Sequence, residues 1–145
     1  MRDLDVFGSP LEAPERIRAN DVYVSAVAFP STRTIFFAGA LETANRAVMV
    51  TYELPDSGEW TFVKTETNLS DKPWNSWIMS VDQDGAFVEN PIRPNVSMQF
   101  ANSMLSDDGK RLGFYGGEVR PGEAILKQFT IVAPSRRFYM RAHPN

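Results

Sequence analysis

The chain has 145 residues, 43% hydrophobic and 23% charged, which suits one folded domain with a real core and excludes wholesale disorder. Fifteen Lys and Arg against 18 Asp and Glu leave a net charge of −3, which argues against a general electrostatic grip on nucleic acid. There is no cysteine and the one histidine is His143. Disulfides, thiolate catalysis, zinc–thiolate sites and iron–sulfur clusters are therefore excluded, and Ser–His–Asp or multi-histidine chemistry has little to work with.

Residues 1–20 read as an N-terminal arm with at most one short helix, beginning near Pro14, with Ser9 or Glu12 as its start and Asn20-Asp21 as its stop. The first residues carry no apolar h-region, and no stretch approaches the roughly 18 apolar residues of a membrane-spanning helix. A cytoplasmic protein without a membrane partner is expected.

Residues 21–145 read as a single antiparallel β domain. Residues 21–29 are rich in Val, Tyr and Ala and end at Pro30-Ser31-Thr32; residues 33–41 contain Ile35, Phe36 and Phe37. In residues 47–54 Val48, Val50, Tyr52 and Leu54 share one face, and after the turn Pro55-Asp56-Ser57-Gly58, Trp60, Phe62 and Lys64 share another. Trp77, Met79 and Val81 follow a looser stretch, and Asp82-Gln83-Asp84-Gly85 reads as a hairpin turn into residues 86–89. Met98, Phe100, Asn102 and Met104 alternate before a second hairpin signal at Ser106-Asp107-Asp108-Gly109. Leu112 and Phe114, the turn Arg120-Pro121-Gly122-Glu123, the run with Ile125, Phe129 and Ile131, and residues 137–141 complete the series.

Roughly eight to ten short strands at about 8–12-residue spacing suit a barrel or a sandwich. The short connections favour an antiparallel up-and-down meander closed into a calycin-like β-barrel of about eight to ten strands, since closure removes exposed edges. The alternatives are a sandwich meander or β-propeller-like blades, for which residues 24–65 and 99–141 supply the texture. Residues 34–64 also align weakly with 111–141, pairing Phe37 with Phe114 and Tyr52 with Phe129.

Several motifs dissolve on inspection. An EF-hand beginning at Asp82 would need glycine where Phe87 stands and glutamate where Arg93 stands, so no metal site is expected. Gly116-Gly117 lacks the Lys-Ser/Thr ending of a phosphate loop and reads as a bulge or bend. No cofactor is expected. Asn68-Leu69-Ser70 and Asn95-Val96-Ser97 match the glycosylation tripeptide, which means little without a leader.

The most chemically suggestive cluster is at the end of the chain. Arg137, Tyr139 and Arg141 share one strand face, and a guanidinium two residues from a phenol can grip a carboxylate. The triplet Arg137-Phe138-Tyr139 resembles the Arg-x-Tyr pair of fatty-acid-binding proteins, ten-stranded barrels with a helical lid; the resemblance implies a lipid headgroup held late in the chain. The alternative is a last strand that hides its apolar face and solvates its arginines. Trp60, Trp77, Tyr52 and Phe62 are the candidate lining of an apolar cavity, or else ordinary sheet core.

The expected function is a β-barrel binding a small apolar or amphipathic molecule, anchored by Arg137 and Tyr139, with isomerase or cyclase action on that ligand as an extension. The alternative is a non-catalytic protein-interaction or self-assembly module, which makes a homo-oligomer an open expectation. A hydrolase using paired carboxylates ranks last.

Overall fold

Runs in which large apolar residues alternate with polar ones form strands, because the pleat sends alternate side chains to opposite faces. The computed structural model describes residues 14–17, 25–81 and 85–145, and among these it contains strands and no helix. In chain order they are β1 (Glu15–Arg16), β2 (Ser25–Phe29), β3 (Thr34–Leu41), β4 (Val48–Glu53), β5 (Gly58–Asn68), β6 (Trp74–Val81), β7 (Ala86–Val88), β8 (Val96–Ser97), β9 (Phe100–Leu105), β10 (Arg111–Val119), β11 (Ala124–Ala133) and β12 (Arg137–Pro144). Glu15 and Arg16, expected near the start of a helix, instead pair with Ala28 and Val27. The start and stop proposed for that helix lie outside the described residues.

The strands form two sheets, and no closed barrel is found among the described residues. A seven-stranded sheet runs β1-β2-β3-β5-β11-β7, with β8 also paired to β11, and a five-stranded sheet runs β4-β12-β6-β10-β9. The arrangement is sandwich-like, the alternative named above rather than the barrel. The physical reason lies in the connections. Among the described residues only β1–β2, β2–β3 and β9–β10 are consecutive strands that pair, whereas β3 to β7 and β10 to β12 pass back and forth between the sheets. Because β4 belongs to the other sheet, the chain returns for β5 in the same direction as β3, and β3–β5 is the one parallel pairing among the described residues. Short turn sequences at Pro55–Gly58 and Arg120–Glu123 are thus corners between sheets. The Asp82–Gly85 turn lies mostly outside the described residues, and the strands it joins are in different sheets, β7 pairing with β11. The hairpin at Ser106–Gly109 does form: Gly109 takes φ 71°, and its N–H donates to the Ser106 carbonyl at 3.0 Å.

The inner faces carry the core. Tyr52 packs edge-on to Phe37 and Phe62, and Phe62 stacks on Phe129 across β5–β11 at 5.3 Å. The aromatic rings give a large apolar payload and well-defined contact geometry. At one end of the sandwich buried Asn68 uses its whole side chain: Nδ2 donates to the carbonyls of Lys72 and Val119, and Oδ1 accepts from the N–H and hydroxyl of Ser70. That role takes Asn68 away from the surface, where a glycan acceptor must be. No helix among the described residues is long and apolar enough to cross a membrane.

Candidate functional site

The outer face of the five-stranded sheet is built from the residues that alternation sends away from the core. Across β12, β6, β10 and β9, register aligns His143, Ile78, Gly113 and Met104 in one row. The next rows hold Arg141, Ser80 and Arg111 on one side and Ser76, Tyr115 and Asn102 on the other. Gly113 is the centre of this pattern. It has no side chain, while Ile78 and Met104 flank it across the strands and Arg111 and Tyr115 flank it along β10. The result is a trough of about 300 Å³ lined chiefly by Ser76, Ile78, Met104, Arg111, Gly113 and Tyr115. Met104 is 63% exposed and Tyr115 43% exposed, so the walls are open to solvent. Arg111 forms no ion pair with a carboxylate of the described residues.

Arg137 and Tyr139 lie on the same outer face but nearer its other edge, opposite Glu53 and Thr51 of β4. The Arg137 guanidinium lies 5.6 Å from the Tyr139 ring centroid. Tyr52 and Trp77 belong to the same sheet but point inward, and Trp60 and Phe62 point inward from the seven-stranded sheet; all four are fully buried. The structure therefore brings Tyr52 to Phe62, but it sets the Arg137–Tyr139 pair on the opposite face of the sheet from Tyr52 and Trp77. Alternation explains the separation, since Phe138 and Met140 are the β12 residues that turn toward the core. Trp60 serves a corner instead: its Nε1 donates to the Asp56 carbonyl at 3.0 Å, and the Arg33 guanidinium lies over its ring at 4.1 Å.

Between the sheets sits a second polar feature. Lys64 and Glu66 on β5 and Lys127 on β11 are all buried, and Lys64 and Lys127 are direct cross-strand partners. Glu66 Oε2 is 3.2 Å from Lys64 Nζ, and its Oε1 accepts from Lys127 Nζ. Lys64 Nζ faces the rings of Phe37 and Tyr52, and Lys127 Nζ lies 3.9 Å from the centroid of Trp77. Burial alone would lower Lys64, but the Glu66 carboxylate and the Tyr52 phenol hold it above the usual lysine range. Burial alone would raise Glu66, and the charges of Lys127 and Lys64 hold it below the usual carboxylate range. Lys127 goes the other way. Burial, aided by the like charge of Lys64 and opposed by Glu66, pushes it down to about 7. Trp77 Nε1, buried nearby on β6, has no hydrogen-bond partner among the described residues.

Sequence reasoning missed both the trough and the triad. The signal for the triad was present: Lys64 shares a face with Trp60 and Phe62, so it follows them inward, and the same period carries Glu66 with it. The trough has no local signal, because three strands contribute to it. Among the described residues no three His, Asp or Glu side chains gather as metal ligands would.

No curated protein and no solved structure matches the chain. A family model matches residues 24–144, nearly all of the two sheets, and the chain accordingly belongs to the family of unknown function DUF6423.

Proposed function

We propose that this protein is a binding module that carries a small amphipathic molecule, with an apolar body and an acid group, in the trough on the outer face of its five-stranded sheet. The observation that carries the reading is the gap at Gly113, walled by Ile78, Met104 and Tyr115 and bounded by the Arg111 guanidinium. An apolar floor takes the body of such a ligand by removing its surface from water, and a guanidinium is a good partner for a carboxylate. The trough volume is at the lower end of the range of about 300–1,000 Å³ typical of small-molecule sites, which favours one small ligand over a protein partner. The lining offers serines, a tyrosine and an arginine but no carboxylate or imidazole to serve as a base, which favours binding without chemistry.

Gly113 supplies the test. A Cβ built there meets Ile78 Cγ1 at 3.7 Å and the Trp77 carbonyl at 4.0 Å, ordinary contact distances, so a side chain can start from this position, and the remainder of a leucine would occupy the trough that Gly113 lines. Octanoate serves as the probe, with binding followed by calorimetry. The wild-type chain is expected to bind it saturably, and Gly113→Leu to bind at least about tenfold more weakly with an unchanged melting temperature. Equal binding by the two proteins, or none by the wild type, defeats the reading.

A further inference from the structure

The triad between the sheets has a charge count that its geometry does not balance. Two ammonium groups share one carboxylate, and the side chains of all three residues are at most 3% exposed. Charge in such a place is held only when matched, and an unmatched group tends to discard its proton instead. The groups around Lys127 are Lys64 and Glu66 on β5, the uncharged Trp77 on β6, and, beyond Lys64, the Tyr52 phenol on β4. Glu66 alone among them is an anion near neutrality, and it already pairs with Lys64.

We propose that Lys127 makes the core proton-responsive: with Lys127 neutral the sheets close over a matched Lys64–Glu66 pair, and with Lys127 charged they enclose one surplus positive charge and separate more readily. Lys127 is the member that yields because Lys64 has, besides Glu66, the rings of both Phe37 and Tyr52 facing its charge, whereas Lys127 has Glu66 and the single ring of Trp77. The placement of Lys127 at about 7 agrees with this assignment.

The direction of the pH effect follows from linkage. Lys127 titrates lower in the folded chain than its ordinary value of 10.5. Between about pH 7 and 10.5 the unfolded chain therefore binds more protons at this residue, and stability rises with pH across that window. It is lost again as pH falls toward 7, and below that the residue contributes no slope. The folding constant is expected to gain up to about tenfold per pH unit within the window.

The experiment is urea unfolding of the full chain at intervals from pH 6 to 10, for the wild type and for Lys127→Met. The wild type is expected to gain stability through the window, and the methionine variant, which keeps the Lys64–Glu66 pair, to lack that gain. Parallel pH profiles for the two proteins would overturn the proposal. NMR titration of the Lys127 side chain in the wild type gives an independent reading that does not require the variant to fold. A midpoint near 7 supports the assignment, and one at or above 10 overturns it.

Discussion

Replacing Glu66 with glutamine is expected to lower the unfolding free energy by about 3–5 kcal/mol at pH 6, where both lysines are charged. Glutamine is nearly the same shape and keeps one carbonyl acceptor, so packing changes little. What disappears is the single negative charge that Lys64 and Lys127 share. The two lysines, direct neighbours across β5–β11, must then either be buried charged without a counter-charge or give up protons at a cost in free energy. Against a typical domain stability of about 5–15 kcal/mol, the loss brings the variant close to unfolding. A comparison isolates burial as the cause. Glu118→Gln removes a partner of Arg120 at 2.8 Å, but that pair is exposed, and the urea midpoint is expected to stay where it was. Equal small effects from the two substitutions would show that the buried triad is not held by charge matching. The Glu66→Gln deficit should also narrow toward pH 9, as Lys127 becomes able to shed its proton.

Gly117→Ala is expected to cost about 3 kcal/mol, for a purely steric reason. Gly117 stands opposite Phe100 in the β9–β10 pairing, within the stretch between Tyr115 and Val119 where the register of β10 against β6 shifts. A Cβ added there falls 2.0 Å from the Gln99 carbonyl oxygen and 3.3 Å from Phe100 Cα. Both are backbone atoms, so no flexible side chain can swing aside, and the start of β9 must move off β10. Two other glycines calibrate the effect. Gly122→Ala meets nothing within 4 Å but sits at φ 88°, so it is expected to lose only the roughly 1–2 kcal/mol of a left-handed backbone. Gly113→Ala meets only ordinary contacts and is expected to be neutral. Urea unfolding of the three variants tests this ranking, and a Gly117→Ala protein as stable as Gly113→Ala contradicts the packing described for β9.

The faces of individual strands were legible because period two is a local property. Val48, Val50, Tyr52 and Leu54 share a face, and so do Trp60, Phe62 and Lys64, as alternation requires. Sheet membership is not local. The same alternation serves a barrel or a sandwich, and a four-residue turn such as Pro55–Gly58 has the same residue types whether its second strand pairs with the first or crosses to the other sheet. That is why an up-and-down barrel was the natural expectation for a chain that instead shuttles between two sheets. The weakly similar segments 34–64 and 111–141 illustrate the point: β3, β4 and β5 alternate between the sheets in one order, and β10, β11 and β12 in the opposite order.

The candidate sites follow the same division. A charged stripe can be read from β5 and β11 once Lys64 and Lys127 are placed in phase with Phe62 and Phe129. Its chemistry emerges only when β5 and β11 pair and set the two lysines side by side. The Arg137–Tyr139 pair was correctly placed on one strand face, but whether that face turns inward depends on what covers Phe138 and Met140. The gap at Gly113 depends on Ile78 and Met104, which belong to other strands and are set beside it by pairing alone.

The most direct test of the binding role is residue-resolved NMR of the full chain during titration with octanoate. Saturable shifts are expected, concentrated at Ile78, Met104, Arg111, Gly113 and Tyr115, with the outer face of the seven-stranded sheet unchanged and the response abolished by Gly113→Leu. Saturable shifts centred elsewhere, or a response that survives the filling of the trough, would contradict it.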